Sequence, residues 1–109
     1  MANTFKLKTK ANVGVTTVGI YTAPAATTTV VIGITLANTS GSGVNVGVGV
    51  TRAGTTEDVK LLKNAPIPSG SSLEFMAGNK IVLEATDTVT VDSDTNNSVV
   101  AALTIMEIT

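Results

Sequence analysis

Short runs of alternating or wholly apolar residues, separated by turn-forming residues, make up most of this 109-residue chain. A period of two is the pattern of β-strands, and no stretch shows a convincing helical period. The pattern predicts nine strands, at 4–9, 13–22, 28–38, 43–52, 57–63, 71–76, 80–85, 88–92 and 98–108. Strands at this spacing indicate an all-β protein, an antiparallel sandwich or barrel, formed by a single domain over 1–109.

The segment EDVKLLKN at 57–64 has a second interpretation. Val59 and Leu62 lie three positions apart, as they would on one or two turns of helix. Pro66 and Pro68 follow closely, and a helix this short is marginal in isolation. We therefore predict a strand and keep a short helix as the alternative.

Two strands carry a strongly apolar face. In 28–38, Gly33 interrupts one face while four aliphatic residues share the other, namely Val30, Ile32, Ile34 and Leu36. Burial of such side chains contributes about 1.5–3 kcal/mol each. Because sequential strands are usually neighbours, we expect 28–38 to lie beside the next apolar strand, 43–52.

The stretch GVNVGVGV at 43–50 places four valines on one face of a strand and almost nothing on the other. The bare face consists of Gly43, Asn45, Gly47 and Gly49. Glycine weakens a strand interior and often marks a close approach of another backbone. We predict that this face is an interface, approached by a partner subunit or by a covering loop. The alternative is a bulge or strong local twist within one chain.

Charge is scarce, at 14% of residues, and the net charge is -1. A typical protein has about 25% charged residues, so much of this surface is uncharged. Lys6, Lys8 and Lys10 share one side of the first strand, and we interpret them as a solvated face or charged edge. This charge distribution predicts neither a nucleic-acid partner nor a membrane-surface partner.

The chain has no histidine and no cysteine. The commonest general base, transition-metal ligand and thiol nucleophile are therefore missing. We expect no enzymatic activity, no cofactor, and no catalytic or metal-binding residues. Arg52, the only arginine, is expected to be a surface charge at a strand end.

The segment DSDTN, from Asp92 to Asn96, matches the opening of a calcium loop. The rest of that loop does not match, because Asn97 occupies the glycine position and Leu103 the position of the bidentate glutamate. An Asx-rich hairpin turn explains the segment equally well. We favour the turn and keep calcium binding as the alternative.

The N-terminus MANTFKLKTK lacks the apolar core of a signal peptide, and no apolar run approaches the roughly 18 residues of a membrane span. We therefore expect synthesis in a cytoplasm.

Three blocks carry a family resemblance, namely YTAPAATTTVVIGITLANTSGSGVNV at 21–46, LLKNAPIPSGSSLEFMAGNKIVLEATDTVTV at 61–91 and ALTIMEIT at 102–109. Together they resemble small virion structural proteins of tailed bacteriophages, especially marine and cyanobacterial ones. The resemblance implies a β-sandwich or jelly-roll module on the outside of a capsid or in the tail. That family often has glycine where Thr86 stands, and threonine tolerates positive φ poorly.

The resemblance implies a structural role in the virion. The first expectation is a capsid decoration, or cement, protein that binds the major capsid protein in many copies. We expect it to form a closed homo-oligomer, a trimer, because decoration proteins commonly occupy three-fold positions. The alternatives are a tail, neck or fibre component, or a jelly-roll module that binds host carbohydrate with Tyr21 as its stacking platform.

Overall fold

The computed structural model describes residues 3–52, 57–75 and 80–109. Within these ranges every regular element is a β-strand, and none is a helix of the length and apolar character that would cross a membrane. The strands are β1 (Asn3–Val13), β2 (Val18–Thr22), β3 (Thr28–Asn38), β4 (Val44–Arg52), β5 (Glu57–Ile67), β6 (Ser72–Phe75), β7 (Ile81–Leu83), β8 (Thr88–Ser93) and β9 (Val99–Ile108).

The strands form two antiparallel sheets packed as a sandwich. Sheet A has the order β1-β9-β3-β6, with β7 also paired to β3, and sheet B has the order β2-β8-β4-β5. β6 and β7 follow one another along the same edge of β3. If β6 and β7 are counted as one interrupted strand, the chain has eight strands, and β8 and β9 become the seventh and eighth. Sheet A then has the order 1-8-3-6, and it faces sheet B with the order 2-7-4-5. This is the arrangement of an eight-stranded jelly roll, and it confirms the predicted fold class.

The predicted strands are found with shifted ends. β1 continues to Val13, and residues 14–17 form the connection to β2 instead of the start of a strand. The segment predicted as strand or short helix is strand β5, which continues past Pro66 to Ile67. Proline is accommodated there because β5 is the edge strand of sheet B, where one row of backbone N–H groups needs no partner.

The core lies between the sheets and is aliphatic. The alternate valines of β4 are all buried, as predicted, and they pack with side chains from sheet A. The largest fully buried side chains are Ile34, Leu36, Ile67, Leu83, Leu103, Ile105, Val13, Val31, Val46, Val48, Val89 and Val91.

The predicted apolar face of β3 is wrong in its first half. The register with β9 shifts between Val31 and Gly33, which is the mark of a β-bulge. Val31 therefore faces the core before the bulge, Ile34 and Leu36 face it afterwards, and Val30 lies on the outside. A pattern count that assumes strict alternation cannot detect the extra residue.

The expected pairing of β3 with β4 is also wrong. β3 lies in sheet A and β4 in sheet B, so the two strands face each other across the core. Their apolar faces still meet, but through side-chain packing rather than through a backbone ladder. The short connection crosses from one sheet to the other, as jelly-roll connections do.

Candidate interaction surfaces

The glycines of β4 are covered inside the chain. Gly47 and Gly49 are buried. A Cβ atom at Gly49 would lie 2.9 Å from the carbonyl oxygen of Val59, and one at Gly47 would lie 3.3 Å from that of Leu62. The register of β4 with β5 shifts on both sides of Val48. A neighbouring backbone does approach closely, but it belongs to strand β5 of the same chain, at an irregularity of the kind given above as the alternative.

The other two residues of the predicted interface remain on the surface. Gly43 and Asn45 are exposed, and a Cβ atom at Gly43 would make only ordinary contact, 3.7 Å from the carbonyl oxygen of Ile67. The backbone of Asn45 is tied to Asp94 of the β8–β9 connection. Contact of this face with a partner therefore stays a prediction, and Gly47 and Gly49 do not require a partner to explain them.

A second surface was not predicted from the sequence. We call it the apolar row, and it consists of Phe5, Met106, Val30 and Val82, which lie opposite one another on adjacent strands β1, β9, β3 and β7. Directly opposed residues share a face of a sheet, and the alternate residues point into the core, so the row lies on the outer face of sheet A. The exposed fractions of Phe5 and Val82, at its two ends, are 69% and 60%.

The orientation of β1 explains why this surface was missed. Lys6 and Lys8 are opposite Ile105 and Leu103, both of which face the core. The lysines of β1 therefore point to the inner side of sheet A, beyond the edge of the core, while Phe5 and Leu7 point to solvent. The alternation was identified correctly, but alternation alone does not say which face is inside.

A buried polar cluster joins the two sheets. The hydroxyl of Tyr21, on β2, donates to Oε2 of Glu107, on β9, over 2.6 Å and lies 2.8 Å from the hydroxyl of Thr29. Nζ of Lys6 lies 2.9 Å from the other oxygen of Glu107. Burial and the hydrogen bond to Glu107 raise the pKa of Tyr21 to about 12. The hydrogen bonds from Tyr21 and Lys6 hold the pKa of Glu107 below its usual value.

Arg52 forms ion pairs that connect β4 to the turn before β8. Its guanidinium lies 2.9 Å from the carboxylate of Glu84 and 3.1 Å from that of the buried Asp87. Asp87 also accepts a hydrogen bond from the backbone N–H of Glu84. The predicted strand-end charge is therefore half-buried and paired, and it ties β4 to the turn before β8.

In the Asp92–Asn96 segment, carboxylate oxygens of both aspartates accept hydrogen bonds from other protein groups. Asp92 accepts a hydrogen bond from Thr17, and Asp94 accepts them from the backbone of Asn45 and from Thr95. Among the described residues no cluster of three or more acidic side chains has the geometry to hold a metal ion. Because β8 lies in sheet B and β9 in sheet A, the segment crosses between the sheets and is not the hairpin turn predicted from the sequence. Calcium binding stays the alternative.

Two depressions on the described surface have volumes of about 130 and 180 Å³. Both are smaller than the roughly 300–1,000 Å³ usual for ligand sites. The ring of Tyr21 is buried, so it cannot act as a stacking platform for sugars. Phe5 is exposed, and the residues directly opposite along the row, Met106, Val30 and Val82, are aliphatic or thioether side chains.

No protein-family model and no curated protein matches the sequence. The fold is similar to that of a protein from Bacillus endospore appendages, a family of disulfide-linked pili, with a TM-score of 0.57 and 17% identity over 99% of this chain and 87% of that one. It is also similar to a chain of the T13 particle of infectious bursal disease virus, with a TM-score of 0.59 and 12% identity over 96% of this chain and 30% of that one. A chain of the Gx strain of the same virus is similar too, with a TM-score of 0.57 and 14% identity over 96% of this chain and 32% of that one.

These likenesses establish a shared fold. The present chain spans about a third of the viral chains and most of the pilus protein. The jelly-roll architecture derived from the strand order is thus one that icosahedral particles and an appendage both contain.

Proposed function

We propose that this protein is a non-enzymatic structural subunit of a virus particle, and specifically a capsid decoration protein that binds the outside of the shell in many copies. The observation that carries the proposal is the outer face of sheet A, which carries an exposed apolar row and a single charged residue among its paired positions, Glu74. Monomeric soluble proteins rarely leave contiguous apolar surface exposed unless it meets a partner. A fold shared with an icosahedral particle supports the viral context.

The chemistry of the chain supports a passive role. Most of the charged side chains described above are engaged with other protein groups, as in the Tyr21–Glu107 cluster and the Arg52 ion pairs. Interface cores are generally depleted of charge, and the outer face of sheet A has this property. The proposal includes self-association into a closed homo-oligomer; the family resemblance implies three copies, and a pair of copies is the alternative.

The pilus likeness does not favour the same mode of assembly here. That family is linked by disulfides, and this sequence contains no cysteine. Subunits of this chain must therefore associate by non-covalent packing, which is the usual mode of capsid and decoration proteins. A tail, neck or fibre position is the second candidate, because the same packing surface serves it equally well.

Cryo-EM of the intact source particle tests the proposal. We expect repeated density of about the dimensions of the sandwich, 45 × 27 × 21 Å, on the outer surface of the shell. Particles from a deletion mutant should lack this density and release their genome at a lower temperature. Density confined to the tail would instead establish the second candidate, and absence of the protein from purified particles would contradict both.

A further inference from the structure

We propose that the outer face of sheet A binds the same face of a second copy of this chain, about a two-fold axis that lies between the two faces. The face is defined by residues that oppose one another across the strands. They are Asn3, Phe5, Leu7, Thr9, Val100, Ala102, Thr104, Met106, Ile108, Thr28, Val30, Gly33, Thr35, Ala37, Ser72, Glu74 and Val82.

The charge on this face decides what kind of surface can cover it. Glu74, on β6, is the one charged residue of the set, and the lysines of β1 point to the other side of the sheet. The outer face of sheet B differs, because Lys60 and Asp92 lie beside its threonines. A charged surface laid on the apolar row would lose hydration without gaining a partner. The covering surface must therefore be uncharged and apolar, and a second copy presents one.

The size of the face is adequate for a stable pair. Four strands at about 4.8 Å spacing and about 34 Å of strand length give roughly 650 Å² on each copy. Stable interfaces bury about 800 Å² on each partner, with a total of about 1,200–2,000 Å². Two copies packed through this face reach the lower part of that range. Like faces related by a two-fold axis form the commonest closed homo-oligomeric contact.

The free edge of β1 is a less favourable way to join two copies. If β1 paired antiparallel with β1 of another copy, residues of the same face would lie opposite one another. In every register whose centre lies between Lys6 and Lys10, lysines of the two copies would therefore be directly opposed. Like charges directly opposite destabilise a pair of strands. Lysines on an edge strand are a common protection against such pairing, and this leaves the face, not the edge, as the contact.

The pair is a property of the free protein. It uses the same outer face of sheet A as the proposed shell contact, so a pair must open before that face binds a shell, and the mass of the free protein tests the pair without the particle. The pair also differs from the three-fold assembly expected from the sequence. The two are distinguished by mass, since each chain has 11.0 kDa.

Light scattering coupled to size exclusion tests the pairing. We expect twice the chain mass for the wild-type chain at roughly 100 μM, a concentration well above the dissociation constants of stable pairs. Val82→Lys and Leu7→Lys, made separately, should each give the mass of one chain, because a lysine then lies inside the uncharged contact. Both side chains are exposed in the single chain, so circular dichroism and the melting curve of diluted protein should show that the variants fold. Thr22→Lys, at an exposed position on sheet B, is the matched control and should leave the mass unchanged.

Cross-linking locates the contact. Because the sequence contains no cysteine, a variant with one cysteine can form a disulfide only between copies. Met106→Cys, near the middle of the apolar row, should give a cross-linked pair in mild oxidant, and Asn45→Cys, on the exposed face of β4, should not. A single-chain or three-chain mass for the wild type, a pair that survives Val82→Lys and Leu7→Lys, or cross-linking at Asn45 instead of Met106 would each overturn the proposal.

Discussion

At the residue scale, turn geometry separates well-suited residues from strained ones. Asn12, Asn64 and Asn97 have φ between 53° and 58°, a region that asparagine tolerates. Thr86 has φ of 69°, although it is β-branched. The backbone N–H of Asp87 bonds to the carbonyl of Glu84, so Thr86 is the third residue of a four-residue turn. A positive φ at that position is the mark of a type II turn, which prefers glycine.

Thr86→Gly should therefore stabilise the protein. A left-handed conformation costs an L-residue about 1–2 kcal/mol, and glycine recovers this at an entropic cost of about 0.5–1 kcal/mol. We expect a net gain of about 0.5–1 kcal/mol in the free energy of unfolding, measured by urea titration. Asn97→Gly is the control and should change stability less, since asparagine already suits its φ. A loss of stability in Thr86→Gly would show that its side chain contributes more than its strain removes.

Gly49 has no room for a larger side chain, because the backbone of β5 lies close to it. A Cβ atom there would lie 2.9 Å from a backbone oxygen of β5, so Gly49→Ala should destabilise the chain by about 1–3 kcal/mol through overpacking. Gly33→Ala is the matched strand variant, with nothing within 4 Å of the added atom, and should be neutral or stabilising by up to about 1 kcal/mol. Urea titration of both variants measures the difference. If Gly49→Ala keeps wild-type stability but loses self-association, the β4 face is an interface after all.

At the scale of elements, the polar cluster fastens sheet B to sheet A. Tyr21 on β2 contacts Glu107 on β9 and Thr29 on β3, and Lys6 adds β1 to the same group. Truncation of one member leaves the others buried with fewer partners, which costs about 1–3 kcal/mol for each group left unsatisfied. Tyr21 is thus a structural cross-brace and not an aromatic platform.

The pKa of Tyr21 gives a direct test, because Tyr21 is the only tyrosine. The ultraviolet absorbance of tyrosinate should show a midpoint near pH 12 in the folded chain and near 10 in urea. Its pKa is raised in the folded state, so its share of stability is complete below pH 10 and is lost as the pH rises towards 12. The difference of about two units corresponds to a contribution of roughly 3 kcal/mol. Tyr21→Phe should lack this alkaline loss and be less stable at neutral pH, whereas a normal folded midpoint would contradict the cluster.

Most of the strands follow from the sequence because their alternation and their Gly, Pro and Asx breakers are local features. The features that the sequence did not predict all involve relations that local patterns do not contain. The bulge near Gly33 moved Val30 from the expected core to the surface. The inner and outer sides of β1 depend on β9, and the cover over Gly47 and Gly49 depends on β5. The candidate surface was therefore assigned to β4 from the sequence, while the apolar row became visible only after the strands were ordered.

At the scale of the whole molecule, stability should be nearly constant across neutral pH. The chain has no histidine. The lowered pKa of Glu107 moves its protonation further into acid, where its contribution is lost as the pH falls, and the pKa of Tyr21 lies far above neutrality. Melting temperatures measured between about pH 6 and 8 should therefore agree closely, and EDTA should leave them unchanged. A fall of several degrees on chelation would establish a metal ion in the Asp92–Asn96 segment.

Strand β1 has a further consequence for how the protein opens. Of its eleven residues only Val13 is buried, so β1 is retained by its ladder with β9 and by the Lys6–Glu107 ion pair rather than by core packing. Segments with little buried surface open locally at a fraction of the global free energy. In hydrogen-exchange experiments on single chains, the amides that β1 contributes to this ladder should exchange well before those between β9 and β3. In a paired assembly covered through Phe5 and Leu7, they should slow markedly, so that association completes the ordering of the first strand.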